Sequence, residues 1–146
     1  MDKYILLSIQ PKIVQEIIDG DKTFEFRKKF PNITENSQIN KKVVIYSSTP
    51  TMQIIGSFVI GSYYHSDFNL LMEKVNATNE YKKRISNYFT DKTSCHALEI
   101  TKLKIYKKPL ELNYLRENFK GFVPGQSYRY LDNKIVEDII TKNGFI

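Results

Sequence analysis

A single cysteine, Cys95, leaves this chain without an internal disulfide, so nothing covalent staples the fold and a reducing compartment suits it. Only two histidines are present, His65 and His96. They stand far apart in sequence and at no metal-ligand spacing, so neither zinc nor another metal is expected. Gly-rich phosphate loops are missing, and no cofactor is expected. No Ser-His-Asp set or Cys-His pair is convincing either: Cys95 and His96 are neighbours, and on a strand they point apart. Cys95 reads as a small buried hydrophobe. No apolar run approaches the length of a membrane span. The start Met1-Asp2-Lys3-Tyr4-Ile5 has no basic stretch leading into a signal-peptide core. The expectation is a cytoplasmic protein with no membrane partner.

What is present is a chain of 146 residues, 41% hydrophobic, enough for one domain over 1–146 with a sizeable core. Its charge of +6 is unevenly placed. The chain is neutral as far as Glu73, and the stretch Lys74–Lys108 carries nine basic residues against three acidic ones. Clustered positive charge is the footprint of a phosphate-binding surface. It is equally the composition of a lysine-rich solvated face. On the first reading Lys82, Lys83, Arg84, Lys102 and Lys104 would track phosphates.

The order of elements is mixed. Tyr4–Ile9 is β-prone. Pro11 suits a first helical turn, Ile13, Val14, Ile17 and Ile18 recur at helical spacing, and Gly20 supplies a stop. Strands are expected over Thr23–Lys28, Val43–Ser48, Gln53–Tyr64, Cys95–Tyr106 and Tyr128–Leu131. Gly56 and Gly61 mark places where a strand bends or bulges. Helices are expected over Phe68–Val75, Tyr81–Phe89, Leu110–Asn118 (after Pro109) and Val136–Lys142. Five or six strands with short helices between them give an α+β fold, a small mixed β-barrel flanked by helices.

The stretch Gly20-Asp21-Lys22-Thr23-Phe24-Glu25-Phe26-Arg27 carries the most chemistry. Strand alternation sends Phe24 and Phe26 to one face and Glu25 and Arg27 to the other. Lys22 beside them makes either a polar pocket or a solvated surface. A lysine after a helix also offsets the helix dipole, and a surface ion pair contributes only about 0–1 kcal/mol. In a cleft, Glu25 would accept hydrogen bonds from a base and Arg27 would grip a phosphate with its planar fork. Ser8, Ser47 and Ser48 stand at strand ends, where hydroxyls often only satisfy turns. Gln10 either reaches a base edge or serves its own loop. Ten tyrosines and nine phenylalanines supply aromatic faces. Of these, Tyr128 follows Gln126 and Ser127 on a turn opened by Pro124-Gly125. Tyr63-Tyr64 is weaker, because adjacency sends one ring inward.

Leu6-Leu7-Ser8-Ile9-Gln10-Pro11, the isoleucine-rich helix and Gly20-x-Lys22-x-x-Glu25-x-Arg27 together resemble the signature of ASCH domains, in the PUA-like superfamily. Val44–Ser48, Ile55–Phe58 and Pro124–Leu131 extend the resemblance over nearly the whole chain. It implies a PUA-like pseudo-barrel with a cleft between the first helix and the following strand. It also implies recognition of RNA, single-stranded nucleic acid or a modified nucleoside, with Ser8, Gln10, Lys22, Glu25, Arg27, Ser47, Ser48, Gln126, Ser127 and Tyr128 as binding residues. Some ASCH members are hydrolases, amidohydrolases on acetylated cytidine among them, which use a lysine and a threonine in this strand. Lys22 matches the lysine, but Glu25 occupies the threonine position and Thr23 points away. As an enzyme this chain would therefore be a hydrolase, amidohydrolase or ribonuclease, using Lys22 and Glu25. A protein-interaction module is the remaining alternative.

Overall fold

The computed structural model of the protein describes residues 4–31, 38–75 and 95–146. Its elements are β1 (Ile5–Ile9), α1 (Pro11–Ile18), β2 (Phe24–Arg27), β3 (Lys42–Ser47), β4 (Gln53–Ser66), α2 (Phe68–Lys74), β5 (Cys95–Glu111), α3 (Leu112–Asn118), β6 (Tyr128–Tyr130) and α4 (Asn133–Asn143). The helix expected over Tyr81–Phe89, with Lys82, Lys83 and Arg84, lies outside the described residues.

The six strands form one sheet in the order β2-β5-β4-β3-β1-β6. Neighbours run antiparallel except β1 and β3, which are parallel. The interior strand β1 is apolar at every position but Ser8 because both faces of the sheet are covered. Ile5, Leu7 and Ile9 face α1, where Val14 and Ile17 pack on them. Leu6 faces the other way, into a cluster with Leu115 of α3 and Ile135 and Ile139 of α4. Each such buried aliphatic contributes on the order of 1.5–3 kcal/mol. A third cluster sets Phe26, Cys95 and Ala97 against Leu71 and Met72 of α2.

The sheet curls until its ends approach one another. The Arg27 guanidinium on β2 donates to the Ser8 carbonyl on β1 at 3.3 Å. Phe30, just past β2, packs its ring on Tyr128 of β6, centroids 5.9 Å apart. These contacts join the β2 edge to the last two strands at the other end of the sheet order. The α+β, PUA-like barrel expected from the sequence is therefore present, with side chains bridging its opening. The curvature comes from β4, whose register with β5 slips at three places, two of them beside Gly56 and Gly61.

One boundary differs from expectation. The strand that should end near Tyr106 runs on to Glu111, and α3 begins only at Leu112. Pro109 therefore sits within a strand. Strand β2 pairs with β5 only over His96–Glu99, and on an edge a proline forfeits no ladder bond.

Candidate functional site

Helix α1 ends because Gly20 takes a left-handed conformation, φ 82°, and its amide bonds back to Ile17. That stop drops the chain onto the edge of the sheet, and β2 then alternates as its sequence dictates. Phe24 stacks on Tyr64 at 6.3 Å, on the α2 side. Glu25 and Arg27 take the other face, and Lys22 folds beside them.

Two of the three charges are buried, and Arg27 is largely covered, its side chain 11% exposed. Lys22 is 7% exposed and Glu25 5%. The Lys22 Nζ lies 3.5 Å from Glu25 Oε1, and Arg27 Nη1 lies 3.8 Å from Oε2. The Phe26 amide donates to Glu25 Oε1 at 3.1 Å, and the Lys22 ammonium stands 5.2 Å from the Phe26 ring centre. One carboxylate between two cations leaves a formal charge of +1 in a desolvated setting. An anion brought there is attracted more strongly than at an open surface.

The other expected binding residues converge where β1 and β3 end and β6 begins. Ser8 donates from Oγ to the Gly125 carbonyl at 2.9 Å and to Pro124 at 3.3 Å, fixing the turn before β6. Gln10 is exposed at the start of α1 and makes no side-chain cap bond. Ser47 is buried opposite Ile9, and the Ser48 amide bonds to the Ile9 carbonyl. Gln126 is exposed, while Ser127 and Tyr128 are half-buried. Arg27 touches this group through Ser8. Lys102 and Lys104 do not join it: both are exposed on β5, and the Lys104 ammonium lies over Phe145 near the C-terminus, 4.6 Å from the ring centre.

Sequence reasoning missed one cluster altogether. The antiparallel register puts His96 opposite both Arg27 on β2 and His65 on β4, so histidines distant in sequence become neighbours. Their rings stack 4.0 Å apart and 13° from parallel. Desolvation, and secondarily the neighbouring His65, lowers the His96 pKa to about 4. The ring is neutral near pH 7, and its Nδ1 shares a hydrogen bond with the Tyr63 hydroxyl at 2.5 Å. The available signal was Tyr63-x-His65, two polar rings at strand period on one face. Among the described residues no three His, Cys, Asp or Glu side chains gather as a metal site. Cys95 is fully buried, and desolvation raises its thiol to about 11, which makes it unreactive. No described helix is long and apolar enough to cross a membrane.

No family model matches the chain. It is 23% identical over 142 residues to a curated ASCH domain-containing ribonuclease of Zymomonas mobilis, covering 95% of this chain and 91% of that one. The crystal structure of ASCH from Zymomonas mobilis superposes with a TM-score of 0.79 at 22% identity, over 95% of this chain and 94% of the other. The N-terminal domain of Staphylothermus marinus McrB gives a TM-score of 0.59 at 10% identity, covering 97% and 95%. The fold is that of the ASCH domain, as the resemblance in the sequence implied.

Proposed function

With the ASCH fold as premise, we propose that this protein binds single-stranded RNA at the cleft where β1, β3 and β6 meet the Lys22–Glu25–Arg27 cluster. The observation that carries the reading is the buried charge cluster itself, one carboxylate held between an ammonium and a guanidinium. Burying charge is costly and stabilises a fold weakly, so three such groups beside a set of hydroxyl and amide side chains suit a ligand-binding role. The ribonuclease name of the Zymomonas relative supports RNA as the ligand class. Arg27 is the phosphate contact, Glu25 and Gln126 are base-edge partners, and the lysines Lys102 and Lys104 would act only on phosphates that run on beyond the cleft. A free modified nucleoside would use the same cleft without needing the lysines.

The test is a binding titration with single-stranded RNA oligonucleotides over a salt series. Affinity should fall steeply, with a logarithmic slope of about −0.7 for each phosphate neutralised. Lys22→Ala should weaken binding, more for the preferred base than for random sequence. Salt-independent binding would remove the phosphate contacts from the proposal. Absence of binding at low salt would point to a protein-interaction module.

The same name favours a second reading, cleavage of the bound RNA. Glu25 is then the general base and Lys22 the stabiliser of developing negative charge. Glu25→Gln should abolish turnover and lower RNA affinity only by the loss of one base-edge contact. Unchanged turnover in a folded Glu25→Gln protein excludes this role. An amidohydrolase reading has less support, because Glu25 stands at the threonine position of those enzymes.

A further inference from the structure

We infer that His65, backed by His96, is the stacking platform on which an unpaired RNA base rests beside the Arg27 phosphate contact. This rests on the RNA-binding reading and extends it to a residue outside the cleft proper. Three side chains line up on one face across adjacent strands: Arg27 on β2, His96 on β5 and His65 on β4. Neighbouring strands lie about 4.8 Å apart. The backbone positions of Arg27 and His65 are therefore roughly 10 Å apart, two strand spacings, a separation of the order of one nucleotide's span.

The row is graded in exposure. His96 is 5% exposed and His65 is open to solvent. A surface histidine ordinarily samples several rotamers and loses that freedom when it stacks. Here the ring is already held, flat against His96. His96 is in turn fixed by the Tyr63 hydroxyl and by Phe30, whose centroid lies 6.1 Å away. The platform is thus pre-organised, and the cost of ordering it is met on folding instead of on binding.

The facing groups do not oppose a base there. Arg27 is the charged side chain opposite His96 on β2. Glu25 lies on the same face of β2 and is paired with Arg27, Tyr63 flanks His65 on β4, and the exposed Asp67 caps the helix that follows the strand. Aromatic rings of this kind take any base by its π-face, as RNA readers do with unstacked nucleotides.

The experiment uses the full chain and a short single-stranded RNA carrying one 2-aminopurine, whose fluorescence is quenched on stacking. The wild-type protein should quench it, and His65→Ala should lose the quenching and weaken binding about tenfold. His65→Phe should restore both, because only a flat ring is needed, whereas His65→Gln should not. Because His65 is exposed, all three variants should melt like the wild type. Wild-type affinity in His65→Ala, or failure of Phe to rescue it, overturns the platform and leaves the RNA-binding reading standing. No binding of any RNA by the wild type, checked alongside Lys22→Ala, overturns both.

Discussion

Arg27 and Ser8, on strands four places apart in the sheet order, are joined by a hydrogen bond from the guanidinium to the main-chain carbonyl. The bond holds the mouth of the curled sheet and aims the guanidinium at the proposed cleft. Arg27→Met should lower stability by about 2 kcal/mol, the worth of a hydrogen bond to a charged group. Urea denaturation measures it. A change below about 0.5 kcal/mol, the range of ordinary surface substitutions, would mean the edges meet without this contact.

Glu25 and Lys22 should not be equivalent when removed singly. Losing Glu25 leaves two cations buried without their shared carboxylate, whereas losing Lys22 still leaves Glu25 beside Arg27. Glu25→Gln is therefore expected to cost about 3 kcal/mol and Lys22→Met about 1–2 kcal/mol. The double variant should cost less than the sum of the two. A larger loss for Lys22→Met would contradict this account of the charge balance.

Acid should weaken the fold through His96. Its folded pKa, about 4, lies below its ordinary value of 6.5, so the native state binds the proton less readily than the unfolded chain. The stability tied to the neutral ring is fully present above about pH 6.5 and is lost as pH falls through 4. Two to three pKa units correspond to about 3 kcal/mol at most. With the surroundings relaxing around the charged form, about 2 kcal/mol is expected. Denaturation between pH 7 and 4 should show this slope, and His96→Gln should flatten it. An equal slope in the variant would assign the effect to other groups.

The two glycines of β4 should respond differently to alanine. At Gly56 a Cβ would collide with the backbone carbonyl of Lys104 and lie 3.3 Å from the Ile105 Cα. Backbone cannot step aside cheaply, and a loss of about 1–3 kcal/mol is expected. At Gly61 the obstacles are the Glu99 carboxylate and the Thr101 methyl, side-chain ends that can rotate. Its cost should be smaller, largely the weakening of the hydrogen bond from the Ser62 amide to Glu99. Thermal melts of both variants decide the order.

The parts of this molecule governed by local rules were legible in the sequence. Alternation alone separated Phe24 and Phe26 from Glu25 and Arg27, because the period of two belongs to any strand. Gly20 marked the helix end, since a positive φ is cheap for glycine. Long-range register was not legible. The meeting of His65 with His96 depends on how β4 and β5 pair after three slips, and no spacing within either strand announces it. The Arg27–Ser8 bond depends on curvature, a property of the whole sheet. Pro109 misled for a related reason: whether proline ends a strand depends on whether its neighbour needs the missing N–H, which only the topology decides. Charge density also says nothing of direction, and Lys104 turns toward Phe145 and away from the cleft.

Ser8 takes part in two of these arrangements at once. Its carbonyl receives Arg27, and its hydroxyl holds the Pro124–Gly125 turn that leads to Gln126 and Tyr128. One residue is thus the common post for both jambs of the proposed cleft. A ligand that pushes the turn outward pulls on the same post that anchors the guanidinium, so neither side yields alone. At the proposed site, the spacing of the two sides and the aim of the cation are thus set by the same residue.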